Sequence, residues 1–158
     1  MSIDPHLERS VLAEFRLPER TGRRRDGLHG ARLLAQKLLH GRLDLLAHLR
    51  RVAHGLPGRF RAVAWLHHAH KAEVTPRALT AAGLTKDELA AVELFDAPLA
   101  QRHSVLHRAR ALSNAPGRPG QLARVVARAA IEDRLDGARA GGDSLSALRL
   151  LPDPGLAG

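Results

Sequence analysis

Four histidines in this chain of 158 residues raise the question of a metal or anion site. Three of them, His67, His68 and His70, fall inside the stretch 60–76, FRAVAWLHHAHKAEVTP, and the fourth, His48, lies in LLAHLRRVA. Neutral imidazole is the commonest side-chain ligand for zinc and related divalent ions, and a protonated or N–H-bearing ring also donates hydrogen bonds to anions. The chain has no cysteine, which removes thiolate metal sites, disulfide frameworks and cysteine nucleophiles together. Any metal would have to use histidine or carboxylate. His103 and His107 are also i, i+4 neighbours, but Ser104 stands where a zincin-type motif needs glutamate, so they read as surface residues.

Helical spacing says where the first group points. Leu45, His48, Leu49 and Val52 are at i, i+3, i+4 and i+7, and so are Phe60, Val63, Ala64 and His67, the pattern of one buried stripe. The turn between the two helices falls near Leu56 to Gly58. His48 and His67 are then each roughly 12–15 Å from that turn at a rise of about 1.5 Å per residue. An antiparallel hairpin would bring the two rings to one level. A single inward histidine is ordinarily a hydrogen-bonded core residue. Two at matched height, with His68 beside the second, point to a shared polar site, while His70 is expected outside it in solvent.

The rest of the chain reads at the helical period, with no alternating strand, and predicts an all-α bundle of roughly seven to nine short-to-medium helices. Residues 1–25 form a basic arm with a short helix, ending in Arg23, Arg24 and Arg25; residues 26–151 form the helical domain; residues 152–158 are a frayed tail. Asp26 is the expected N-cap of a helix closed by Gly41, and a second helix closes at Gly55. A third is expected from Phe60 to about Ala72. Thr75 with Pro76 opens a short helix ending at Gly83, and Thr85 with Glu88 makes a capping box. Pro98 begins a helix to about Ala115, PGRPG breaks it, and QLARVVARAAIEDRLDG is the last strong helix before SLSALRLL.

The formal charge of +9 invites a nucleic-acid partner, since cations displace counterions from phosphate. With 3% aromatic residues and no tyrosine, a base-stacking platform is not expected. No apolar run reaches the length of a membrane span, so no membrane partner is expected and cytoplasm is the default compartment.

The segments AHLRRVA and AVAWLHHAHKAEVTPRALTAAGLTKDELAAVELF, in that order, resemble the HD-domain phosphohydrolases. The likeness is to the alarmone (ppGpp) hydrolase domain of RelA/SpoT-type proteins and their small stand-alone bacterial relatives, over about Ala31 to Gly137. The resemblance implies that His48 matches the first metal histidine and His67 the histidine of the HD pair. It also exposes what is missing. His68 stands in place of the aspartate, Lys71 and Ala72 replace the acidic pair that positions water, and Ala130 falls where the last metal-binding aspartate is expected. Glu132 and Asp133 keep only the acidic character of the following turn.

Without a carboxylate beside the water, general-base assistance worth about 10²–10⁴-fold is gone. The first reading is therefore a catalytically impaired pseudoenzyme whose His48, His67, His68 and Lys71 bind a nucleotide or phosphate, with no resident cofactor. A second is a basic interaction module, with Arg50, Arg51, Arg59 and Arg61 as a ridge for an acidic protein or RNA. A third is an altered hydrolase holding manganese or zinc on His48, His67 and His68, with Glu73 or Glu132 carrying protons.

Overall fold

The computed structural model describes residues 24–96, 105–137 and 142–151. The arm up to residue 23, the stretch holding Pro98, His103 and Ser104, and the tail from residue 152 lie outside the described residues. Among those described, eight α-helices and one 3₁₀ turn account for almost every position, and no strand occurs. The helices are α1 (Arg24–Leu38), α2 (Leu43–His54), α3 (Gly58–Leu66), α4 (Pro76–Ala81), α5 (Lys86–Asp96), α6 (Val105–Ser113), α7 (Gly117–Gly137) and α8 (Gly142–Leu150), with the 3₁₀ turn at Ala69–Ala72.

Most boundaries follow from capping chemistry. Gly41 and Gly83 take positive φ, +87° and +95°, which costs glycine little and ends a helix. The Thr75 hydroxyl accepts from the Ala78 amide at 3.1 Å, and Thr85 and Glu88 exchange the two bonds of a capping box at 3.0 and 3.2 Å. Three expectations need correcting. Arg24 and Arg25 belong to α1 and not to an arm, so Asp26 lies inside the helix and does not cap it. The final long helix starts at Gly117, absorbing the RPG that was expected to break it. The helix expected to run from Phe60 to Ala72 stops at Leu66.

Helices α2 and α3 form an antiparallel hairpin, α1 packs along α3, and α7 lies across both hairpin helices. Helices α6 and α8 pack on each other and on the far end of α7, and α5 lies between α7 and α3. The core is mostly aliphatic, with Phe60 and Trp65 buried in it. Phe60, Leu34, Leu39, Leu49, Leu66, Val63, Val125 and Val126 are fully enclosed, each such side chain contributing about 1.5–3 kcal/mol. One contact is unusually close. A Cβ on Gly30 would sit 1.9 Å from the Ala82 carbonyl oxygen, so only glycine lets α1 reach the end of α4.

Candidate functional site

The hairpin delivers His48 from α2 and His67 from the end of α3 to the same place. Their ring centroids are 5.6 Å apart and edge-on, and His68 lies 4.2 Å from His67 and 5.5 Å from His48. All three are buried, at 6%, 3% and 7% exposure. The early end of α3 explains how adjacent residues share a site. On a continuous helix His67 and His68 would diverge by about 100° and one would leave the cluster. Here His67 is the last residue of helical conformation, His68 turns to φ −107°, ψ 10°, and the chain tightens into the 3₁₀ turn. Glu73 closes that turn in the left-handed region at φ 52°.

Hydrogen bonds fix the protons of two rings. The Nδ1–H of His48 donates to Asp133 Oδ2 at 2.6 Å, and the Nδ1–H of His67 donates to the Ala64 carbonyl at 2.6 Å. In each ring Nε2 then carries the lone pair, and both Nε2 atoms are buried with no hydrogen-bond partner. Burial pushes the His67 pKa down to about 3 against the pull of the Ala64 carbonyl, with His48 and Arg134 adding to the fall. Burial also lowers that of His48, partly opposed by its bond to Asp133. Both are neutral imidazoles at neutral pH. Asp133 is held in turn by Arg51, whose guanidinium donates to both carboxylate oxygens at 2.8 and 3.1 Å. That pairing, with His48 assisting, keeps the carboxyl below its ordinary range.

A cavity of about 100 Å³ opens to solvent beside these rings. His67, His68 and His70 form one side, and Leu94, Phe95, Val105, Leu112, Ala130 and Ile131 are among its apolar walls. Two arginines, Arg108 of α6 and Arg134 of α7, also line it. Arg134 is exposed at the rim and donates to His68 Nε2 at 3.3 Å. Arg108 is half-buried, and both burial and the neighbouring Arg134 lower its pKa. Among the described residues, no aspartate or glutamate lines the cavity.

Of the residues singled out from sequence, His48, His67 and His68 meet as expected. His70 does not stay in solvent. It is partly buried, lines the cavity and stacks 6.0 Å from His68, because the 3₁₀ turn curls it back toward the site. Ala130 reaches the cavity wall, so an aspartate there would indeed have faced it. Ala72 packs against the core, and the Lys71 side chain lies outside the described residues. Glu73 is exposed, Glu132 pairs with Arg128 at 2.9 Å, and neither lines the cavity. His107 is exposed on α6. In the arginine ridge, Arg51 is engaged by Asp133, Arg61 by the Leu56 carbonyl at 2.9 Å, and Arg59 by the face of Phe60 at 4.7 Å.

Sequence reasoning passed over Asp133, Arg134 and Arg108 as site residues, although the stripe argument reaches all three. Val105, Arg108, Ala109 and Leu112 repeat the i, i+3, i+4, i+7 spacing, and so do Ala127, Ala130, Ile131 and Arg134, and Val126, Ala129, Ala130 and Asp133. A charge in the fourth or second place of an apolar stripe marks a helix face that needs a partner.

The donor set can be weighed against a metal. The ligand atoms of His48, His67 and His68 lie within 4.8 Å of one another, so this buried three-histidine cluster could hold an ion. The orphaned Nε2 atoms of His48 and His67 suit it, and Asp133 behind His48 is the usual orienting carboxylate. Against it, Arg134 occupies His68 Nε2, and among the described residues no carboxylate supplies charge from the cavity side. Among the described residues no helix is long and apolar enough to cross a membrane. Compared with protein-family models, with curated proteins and with solved structures, the chain matches none.

Proposed function

We propose that this protein is a degenerate relative of the HD-type phosphohydrolases that binds a phosphate-bearing anion at the mouth of the histidine cavity and does not hydrolyse it. The observation that carries the reading is the approach of Arg108 and Arg134 to one cavity that has no carboxylate among its described lining residues. Two like charges facing a partly apolar space are stabilised by an anion between them, and guanidinium forks match phosphate oxygens. Hydrolysis lacks its proton carrier. The carboxylate bonded to His48, Asp133, lies behind that ring and is paired with Arg51.

Calorimetry with inorganic phosphate and with guanosine and adenosine polyphosphates, each with and without chelator, tests this. The expected result is a binding heat that survives the chelator, a raised melting temperature, and no phosphate release under added manganese or zinc. Absence of both heat and melting shift for every phosphate ligand overturns it.

A second reading has its own support in the paired, acceptor-only Nε2 atoms of His48 and His67: zinc held by the three histidines, with an anion supplying the missing charge. Elemental analysis of the purified protein separates the two, since stoichiometric zinc favours the metal and trace zinc removes it. Docking of RNA or an acidic protein has less behind it, because Arg51 is already engaged by Asp133 of α7, and Arg59 and Arg61 within the hairpin.

A further inference from the structure

We infer that the anion taken by this site is a phosphate monoester carrying a compact apolar group, the phosphate meeting Arg108 and Arg134 and the apolar group entering the cavity behind them. The inference rests on the anion reading above and specifies its ligand. A bare phosphate would engage the arginines and leave Leu94, Phe95, Val105, Leu112, Ile131 and Leu151 facing nothing, although all six line the same space. Those residues come from α5, α6, α7 and the residue after α8, so four separate pieces of the fold converge to enclose an apolar volume next to two cations.

Size and polarity narrow the occupant. The volume of about 100 Å³ is smaller than the roughly 150 Å³ cavity that encloses a benzene ring, which limits the buried group to roughly four carbons. A nucleoside is too large and too rich in hydrogen-bonding atoms for these walls. Its sugar and base would remain in solvent, adding little to what the phosphate alone contributes. Among the described lining residues the polar side chains are the histidines, the two arginines and Ser144; the arginines and the Ser144 hydroxyl can donate to an anionic head, while the His67 Nε2 lone pair only accepts.

Titration calorimetry with inorganic, methyl, ethyl, propyl, butyl and octyl phosphate and with GMP, on the full chain in chelator, reads this directly. Affinity is expected to rise about fourfold per methylene while the chain is being buried, then level off or fall beyond butyl, with GMP weaker than propyl phosphate. In Ala127→Leu, which fills the wall, the ratio of butyl to inorganic phosphate affinity should fall about tenfold or more. In Leu112→Ala, which enlarges the cavity, the optimum should move to a longer chain. Equal affinities across the series, or GMP binding more tightly than propyl phosphate, overturn the inference while leaving a phosphate site in place. If no member of the series binds, inorganic phosphate included, the underlying anion reading fails with it.

Discussion

The crossing of α1 over α3 and the histidine end of the α2–α3 hairpin share a helix and obey opposite rules. At the crossing, Ala31, Leu34 and Ala35 are wholly enclosed, as are Val63 and Ala64 on the facing helix. Nothing polar needs a partner there. At the histidine end, among the described residues, the fold keeps two acceptor nitrogens without donors and two arginines on a cavity that no described acid lines. Buried polar atoms without partners cost stability, typically about 1–3 kcal/mol each, so such an end persists only when something other than folding retains it. The contrast makes a rule for mutation: truncation should harm the first region, and apolar replacement should be tolerated or welcome in the second.

The largest expected effect lies in the packed region. Phe60 is fully enclosed between α3 and its neighbours, and Phe60→Ala should remove about 3–5 kcal/mol of stability, from lost transfer energy plus the cavity left behind. Urea unfolding should show the midpoint falling with an unchanged slope. A loss below about 1 kcal/mol would mean that the region is not close-packed, and the contrast would dissolve.

Acid sharpens the comparison next, because the histidine end holds groups whose pKa values are lowered in the fold. The folded pKa of His67 is about 3 against an ordinary 6.5, so as pH falls the unfolded chain takes up the proton first. Stability is therefore complete above the unfolded value and declines by about 1.4 kcal/mol per pH unit as pH falls between the two. Lowered pKa values at His48 and Asp133 act in the same direction. Unfolding midpoints should drop steadily from pH 7 to pH 4, and His67→Gln should flatten that decline. If the variant declines as steeply as the parent, the sensitive group is elsewhere.

The same contrast explains what could be read from sequence. Apolar periodicity and caps are local, so the all-α class, Thr75, the Thr85–Glu88 box and Gly83 were legible residue by residue. The facing of His48 and His67 needed only one turn and two helix lengths. What could not be read was the third dimension of the site. The stop of α3 at Leu66 has no proline or glycine to announce it, since Leu66, His67, His68 and Ala69 all tolerate helix; tertiary packing of the three rings decides it. That unannounced turn is also why His70 reaches the cavity. The partners on α7 are far along the chain, Asp133 lying 85 residues from His48, and a resemblance that pointed to Ala130 left aside the residue one turn on that bonds His48.

The smallest effect is the most discriminating. Arg108→Leu replaces a half-buried cation that faces a second cation and has no acidic partner among the described residues with a side chain matched to Val105, Ala109 and Leu112 around it. Repulsion from Arg134 disappears, apolar contact is gained, and the desolvated charge is gone. Stability should rise by roughly 0.5–1 kcal/mol, in the range typical of substitutions that relieve a strained functional site. Phosphate binding should fall by at least tenfold in the same protein. A gain in stability paired with a loss of binding is the signature of a group kept for a ligand. If Arg108→Leu instead destabilises the fold by more than about 1 kcal/mol, then the guanidinium serves the scaffold, and the histidine end is a second core that uses polar groups.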